Sequence, residues 1–448
     1  MPNRLDPAIG IFLKAKADEA FNKNDFVVAL SLYTFIINND PGNGIHHLNR
    51  SLTNLRLQRW SDATKDATKA LELCEEKVHK AKAHFRRCQA RRELYDISGA
   101  NEDLEAFLLN GGAPKTASVE AQKLKAAPRS VNEIVLEDVT DVADLFSNTL
   151  DLADNTPDAV YEIRPSSGKG LGAFAVKRLQ RGDLILAENP IVPVDDPTPY
   201  NIVKGFKQLS PKNLARCLLL HNAHPEIGLF EGIYNTNAFS QAGVVLDVAR
   251  FNHSCSPNAR YSYHEPSKQE RIFALTDIAE GEQIYVSYLQ SRNVYASPRS
   301  KRRQTLSSRY DFCCQCTACD DANFEESDRR RQEIGMIWES LPMMIDGRKI
   351  LMSVVRAITL MREDGYFGDG DDFAVDAAAI CAGYSDWASC EYWAKFAYEN
   401  RAAEFGADHP HAERSRQILD KPRSRENHPQ AGLFPGRTFR DIRLPRRM

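Results

Sequence analysis

No stretch of about 18 consecutive apolar residues occurs anywhere in the sequence, so no membrane-spanning helix is expected. The N-terminal segment has only a short apolar patch, Ile9 to Leu13, too short for the apolar heart of a secretory signal. Strong charge of either sign is missing too. With 58 Lys and Arg against 61 Asp and Glu the formal net charge is −3, and no global field draws the chain to nucleic acid or an anionic membrane. Cysteine is sparse except at one place: of ten, four fall at Cys313, Cys314, Cys316 and Cys319. An intracellular chain keeps its thiols reduced, so this cluster reads as metal ligands and not disulfides. The expectation is a protein of the cytoplasm, the nucleus or both, with enough apolar material for more than one core.

What is present changes texture along the chain. Between residues 9 and 112 the sequence repeats itself. Asn24–Tyr33 aligns with Gln58–Ala67 at an offset of 34, Phe26 matching Trp60 and Ala29 matching Ala63. A third copy matches Ala63 with Ala100 after three extra residues. Small residues at fixed points let paired helices approach, and the period resembles tetratricopeptide repeats, which present a concave surface to protein partners. Residues 113–158 read as a linker: it begins within GGAPKTAS, and Val131 to Tyr161 holds eight Asp or Glu and no Lys or Arg. Within it, Val142–Leu150 has the pattern of a short amphipathic helix. From 159 to 320 short apolar runs bounded by Gly, Pro and Asp predict strands, with the helical segment Ser210–His221 inserted among them. Helical spacing returns over 321–410. The tail, 411–448, is basic, with eight Lys or Arg against two acids from Lys421 onward, and is expected to be disordered; any nucleic-acid contact would be through it. The whole is an α+β multidomain chain.

Three segments carry the chemistry. Ser167–Leu186 contains the Gly-Lys-Gly turn at Gly168, Lys169 and Gly170, where a glycine backbone can come close to a ligand. Arg250–Tyr261, RFNHSCSPNARY, sets Asn, His and Cys between apolar strands, a costly arrangement unless the polar groups have partners. Gly281–Leu289, GEQIYVSYL, is a turn and a strand ending on Tyr288, and CQCTAC follows at Cys314–Cys319.

In this order the segments resemble the SET domain. GKGLGAFA resembles its opening motif, TNAF (Thr236–Phe239) the middle one, RFNHSCSPN the signature whose loop threads into a pseudoknot, GEQIYVSY the last strand, and CQCTAC the post-SET zinc motif. The spacing is similar to the SET/MYND-like branch of protein lysine methyltransferases, which also has a helical C-terminal region. One part of that branch is missing: only Cys217 lies between Gly168 and Asn252, so there is no MYND finger, and the repeats stand in front instead.

The resemblance implies transfer of a methyl group from S-adenosylmethionine to the side-chain amine of a lysine in a protein substrate, histone or non-histone. It implies backbone contacts to that cofactor from Lys169, Gly170 and Leu171, further contacts from Asn237, Asn252 and His253, and Phe312 near the adenine. Tyr288 and Tyr310 become the tyrosines of the lysine channel. Cys314, Cys316 and Cys319 supply three thiolates, and Cys255 of the NHSC loop the fourth, for one structural Zn2+; Cys313 falls outside the register. The competing reading is a repeat-based scaffold with a catalytically silent SET domain.

Overall fold

The computed structural model describes residues 5–126, 159–193, 196–239, 242–289, 291–320, 322, 324–424, 426–434 and 436–445. The acidic stretch and the short helix expected at Val142–Leu150 lie outside them. Among these residues no helix is long and apolar enough to cross a membrane.

Seven helices open the chain: α1 (Pro7–Asn22), α2 (Phe26–Asn39), α3 (Gly44–Arg56), α4 (Trp60–Leu73), α5 (Lys77–Glu93), α6 (Ile97–Leu109) and α7 (Pro114–Ala126). The repeat shows in the turns. Asn24, Gln58 and Tyr95 take left-handed φ values of 61°, 60° and 60° between the helices of each pair. It shows again in two buried carboxylates. Asp66 accepts from Arg50 at 2.7 Å and Asn54 at 3.0 Å and faces His47 at 3.3 Å. Asp103 repeats this with Arg87 at 2.7 Å, Arg91 at 2.9 Å and His84 at 2.8 Å. Burial alone would raise Asp66, but its bonds from His47 and Arg50 outweigh that and hold the carboxyl below its usual range. Alanines 63, 67, 70, 81, 83 and 90 are buried where the helices close on one another.

Two expectations about this region need correction. The linker does not begin at 113: α7 buries Ala117 and Leu124 with Phe107, and its Glu120, 1% exposed, meets Arg92 Nε at 2.8 Å. Nor does the inserted segment belong with the strands. Helices α8 (Pro199–Gln208), α9 (Pro211–Leu218) and the first part of α10 (Leu229–Asn237) group with the repeats, since residues 196–220 and 224–233 fall in their compact unit. Phe206 stacks on Phe230 at 4.9 Å, Phe12 of α1 meets Phe230 edge-on at 6.2 Å, and Lys16 Nζ donates to Leu209 O at 3.0 Å. Deleting residues 1–125 therefore strips a cover from Phe230, Phe206 and Leu214. The expected result is a truncated protein that melts lower and binds an apolar dye; a truncation with unchanged melting temperature and no dye binding would contradict it.

The second unit holds the strands and all that follows. Strands β1 (Tyr161–Pro165), β2 (Leu171–Ala175), β9 (Gln283–Val286) and β6 (Asn252–His253) form one sheet in the order β1-β2-β9-β6, with β6 parallel to β9. Strands β3 (Leu184–Glu188), β8 (Gln269–Ala274) and β7 (Ala259–His264) form a second, antiparallel sheet, and β4 (Ala238–Phe239) pairs with β5 (Gly243–Val244). Ala173, Ile185, Phe251, Ile272, Ile284 and Val286 fill the core between them.

Helices α11 (Ser291–Tyr295), α12 (Arg299–Tyr310), α13 (Phe324–Ser340), α14 (Gly347–Glu363), α15 (Gly370–Gly383), α16 (Trp387–Phe405) and α17 (Pro410–Asp420) complete the unit. Their core is continuous with the post-strand segment: Cys255, Leu289, Leu306, Trp393 and Phe439 belong to one buried cluster. The tail expected to be disordered from 411 is instead packed. Phe439, Ile442 and Leu444 are buried, Phe439 N donates to Asp386 Oδ2 at 2.7 Å, and Arg348 pairs with Asp441. The average of its composition hid three apolar anchors spaced among the arginines.

Candidate functional site

The Gly-Lys-Gly turn is a tight reversal. Gly168 and Gly170 have φ of 68° and 70°, and Lys169 N and Ser166 N donate to Ser166 O and Gly170 O at 3.0 and 2.7 Å. An added Cβ at either glycine meets nothing within 4 Å, so the turn faces open space. Its neighbour Gly172 is different: a Cβ there would lie 2.8 Å from Asn252 Nδ2. The bare strand lets Asn252 come in and donate to Leu171 O at 3.0 Å, which joins the first and second motifs. Lys169 itself reaches Tyr285, Nζ to hydroxyl at 3.3 Å and 4.6 Å from the ring centre.

The parallel pairing sets Asn252 opposite Tyr285 and His253 opposite Val286, so the second and third motifs share one register. Asn258 fixes it further: Tyr285 N donates to its Oδ1 at 2.7 Å. His253 is buried and uses both ring nitrogens. Tyr288 N donates to Nδ1 at 3.0 Å, which leaves the proton on Nε2, 3.3 Å from Cys255 Sγ. Burial pushes the imidazole down to about 3, so it is neutral. Its ring is therefore spent inside the protein and offers no nitrogen to a ligand.

Tyr288 stands at the junction of the two cores and packs against both. Its hydroxyl donates to Phe251 O at 2.9 Å. Tyr310 lies with its ring centre 4.9 Å from that of Tyr288 and its hydroxyl 3.4 Å from Tyr288 O. Phe312 meets Tyr288 edge-on at 6.2 Å and His253 at 6.0 Å. The chain reaches that position because Asp311, at φ 55°, ends α12 in a left-handed turn. Burial pushes the phenols of Tyr288 and Tyr310 above their ordinary range, so both stay protonated. Asn237 closes α10 and donates to His221 O at 2.7 Å.

Two aromatic residues were not among those expected. Tyr261, on β7, meets Phe239 edge-on at 4.9 Å, and burial together with the nearby Tyr310 and Glu270 pushes its phenol up to about 12. Tyr261 closes the RFNHSCSPNARY segment, and its place on an alternating strand, two residues after Ala259, was the available signal.

Glu270 lies on the same sheet, opposite Tyr263, and is 2% exposed. Burial pushes its carboxyl up to about 8. The folded form thus keeps a proton that the unfolded chain loses from about pH 4.5, and stability falls as pH rises from there to about 8. Glu270→Gln removes this slope. It is expected to stabilise the protein by about 2–3 kcal/mol near neutrality and to leave pH 4 unchanged. Thermal melts across pH would show it; parallel wild-type and variant curves would contradict it.

The four expected cysteines converge. The sulfurs of Cys255, Cys314, Cys316 and Cys319 all lie within 4.8 Å of one another. Cys255 Sγ is 4.0 Å from Cys314 Sγ and 3.6 Å from Cys319 Sγ. Zinc–thiolate bonds of about 2.3 Å in a tetrahedron would set the sulfurs about 3.8 Å apart. The protein around the cluster also suits an anionic centre. Buried Arg302 donates to Cys319 Sγ at 3.3 Å and Ala318 O at 2.8 Å, and Arg303 donates to Cys314 O and Cys319 O at 2.9 and 2.8 Å. Cys313 is exposed and outside the group. The residues present fit a four-coordinate metal.

Comparison with known proteins agrees with this geometry. The family model for the SET domain matches residues 170–289. The histone-lysine N-methyltransferase set5 of Schizosaccharomyces pombe is 25% identical over 279 residues, 59% of this chain and 85% of that one. The protein-lysine N-trimethyltransferase SMYD5 of Danio rerio is 37% identical over 91 residues, 19% of this chain and 22% of that one. Among solved structures, the first TPR of Spaghetti (RPAP3) bound to HSP90 peptide SRMEEVD is 27% identical, with a TM-score of 0.26, covering 29% of this chain and 99% of that one. The offset motifs at 168–175, 252–258 and 283–289, the matched family and the helix pairs with their repeated turns together make this chain a SET-domain protein with tetratricopeptide-like repeats.

Proposed function

We propose that the protein transfers methyl groups from S-adenosylmethionine to lysine side chains of a protein substrate, with one zinc ion held by Cys255, Cys314, Cys316 and Cys319. The observation that carries this reading is the convergence of Tyr288, Tyr310 and Phe312 beside the Asn252–His253 strand, inside the matched domain or directly after it.

S-adenosylmethionine supplies a methyl on a sulfonium, open to in-line attack by a neutral amine. A lysine amine of ordinary pKa about 10.4 is mostly charged at neutral pH. Tyr288, Tyr310, Tyr261 and Phe239 give apolar ring faces that disfavour the ammonium and favour loss of its proton to solvent. Because the Tyr288 proton is given to Phe251 O, the hydroxyl oxygen keeps lone pairs for an amine N–H or a polarised C–H. The Gly168–Leu171 backbone and Asn252 would hold the cofactor, and alignment of two reactants would provide most of the acceleration. His253 would serve as a strut between Cys255 and Tyr288. The zinc would bind the post-SET segment to the NHSC loop, and so place Tyr310 and Phe312.

The repeats, in this reading, bind a protein partner or the substrate, and the enzyme works in the cytoplasm, the nucleus or both. The test is methyl incorporation: full-length protein with methyl-labelled cofactor and extract from cells lacking the gene should label lysines. Cofactor binding without any labelled protein would favour the scaffold reading.

A further inference from the structure

We propose that Arg331 is a positioning residue of the methyl-transfer site, through which the C-terminal helices hold the Asn252–Ser256 loop and with it the metal. The proposal rests on the reading of the four cysteines as a zinc site. Arg331, in α13, is fully buried, and its guanidinium is engaged on every side. Nη2 donates to Cys255 O at 3.0 Å and to Ser256 Oγ at 3.3 Å, Nε donates to Ser327 Oγ at 3.1 Å, and Nη1 donates to Val294 O. Asp364, which caps α14, is the counter-ion at 2.6 Å. Ser327 Oγ donates to the same carboxylate at 3.0 Å, and Ser256 Oγ donates to Asp364 O at 3.1 Å. A buried guanidinium is stable only when so paired, and here two of its bonds are to Cys255 and Ser256, the metal-ligand residue and its neighbour.

Cys255 is the only one of the four ligands that comes from the NHSC loop. Its sulfur faces His253 Nε2 at 3.3 Å, and the other ring nitrogen receives Tyr288 N at 3.0 Å. A displacement of the Cys255 backbone is thus passed through one rigid ring to the backbone of Tyr288. Partners beyond the ligands orient them and tune the metal. Arg302 does so at a sulfur, and Arg331 does so at the backbone of the ligand whose sulfur meets His253. Lysine cannot replace this fork, because it has one nitrogen where Arg331 uses three. A separate pair of bonds, Arg260 to Asp369 at 2.6 Å and to Glu404 at 3.0 Å, docks α15 and α16 on β7. The C-terminal helices therefore keep an attachment when Arg331 is changed.

The experiment compares full-length wild type, Arg331→Met and Arg331→Lys. Zinc transfer to the chelator 4-(2-pyridylazo)resorcinol is timed, and the visible d–d bands of the cobalt-substituted proteins are recorded. Arg331→Met is expected to release zinc at least about tenfold faster and to shift the cobalt bands, with Arg331→Lys between it and wild type. A merely structural role would lower the melting temperature and leave the cobalt spectrum as it was. Wild-type release rates and spectra in both variants overturn the proposal; if Arg331→Met does not fold, Arg331→Lys decides by the same two readings. Wild-type protein that contains no zinc overturns the metal reading and this one together, whereas zinc-bearing wild type with unaffected variants overturns only this one.

Discussion

Cys314→Ser protein is expected to come off purification without zinc and without methyl-transfer activity, while Cys313→Ser keeps both. The two residues are neighbours in sequence and opposites in structure. Cys314 is 2% exposed and its sulfur lies 4.0 Å from that of Cys255; Cys313 points outward. Without a cation the four thiols cannot all ionise: hydrogen bonds to the other sulfurs, then burial, push Cys255 well up. A dication removes that conflict, and structural zinc binding of this kind is worth about 10–16 kcal/mol, which is also local folding energy. Serine at 314 leaves three thiolates and a poor fourth ligand. The post-SET segment should then loosen, and Tyr310 and Phe312 with it, because Tyr310 ends α12 and Phe312 lies between that end and the cluster. Metal content per chain by mass spectrometry and turnover on the labelled substrate check the pair. Zinc-free active protein, or Cys313→Ser as damaging as Cys314→Ser, would sink the ligand assignment.

The site was legible in the sequence because its parts are dense and local. GKG needs backbone at positive φ, NHSC sets Cys255 three residues after Asn252, and CQCTAC brings three thiols close together. Each is a short-range requirement that leaves residues in fixed order. What escaped depends on contacts distant in sequence. The insertion at Ser210–His221 looked like a decoration of the strands, but its helix α9 packs on α1 and α2, nearly two hundred residues upstream. GGAPKTAS reads as the start of a linker, yet Gly111 at φ 87° is a helix stop and Pro114 the first residue of the next helix. The tail was averaged as basic although Phe439, Ile442 and Leu444 are anchors. The repeat itself was found from alanines and aromatics, while its second signature passed unread. His47, Arg50, Asn54 and Asp66 return as His84, Arg87, Arg91 and Asp103, at the period that the three-residue insertion predicts. Fold and chemistry were thus separable problems: motifs name the chemistry, and only packing assigns a helix to its unit.

Tyr288→Phe is expected to fold, bind cofactor as wild type does, and turn over at least about tenfold more slowly, a loss of at least about 1.4 kcal/mol in transition-state stabilisation. The ring stays, so its contacts with Tyr310 at 4.9 Å, His253 at 5.4 Å and Phe312 at 6.2 Å stay too. The backbone bond to His253 Nδ1 is untouched because it uses Tyr288 N. What goes is one hydroxyl, whose hydrogen bond to Phe251 O at 2.9 Å contributes about 1 kcal/mol to stability. The oxygen of that hydroxyl is the group with free lone pairs at the strand end, and removing it takes away an acceptor that orients the amine. Burial keeps the phenol protonated throughout the neutral range, so the defect should not change with pH between about 6 and 9. Tyr310→Phe should cost less, since the Tyr310 hydroxyl is 3.4 Å from Tyr288 O, a long and weak bond. Single-turnover rates, with cofactor affinity measured separately by calorimetry, separate chemistry from binding. A folded Tyr288→Phe protein with wild-type single-turnover rate would remove Tyr288 from the reaction. A variant whose whole loss lies in cofactor affinity would assign the hydroxyl to binding instead.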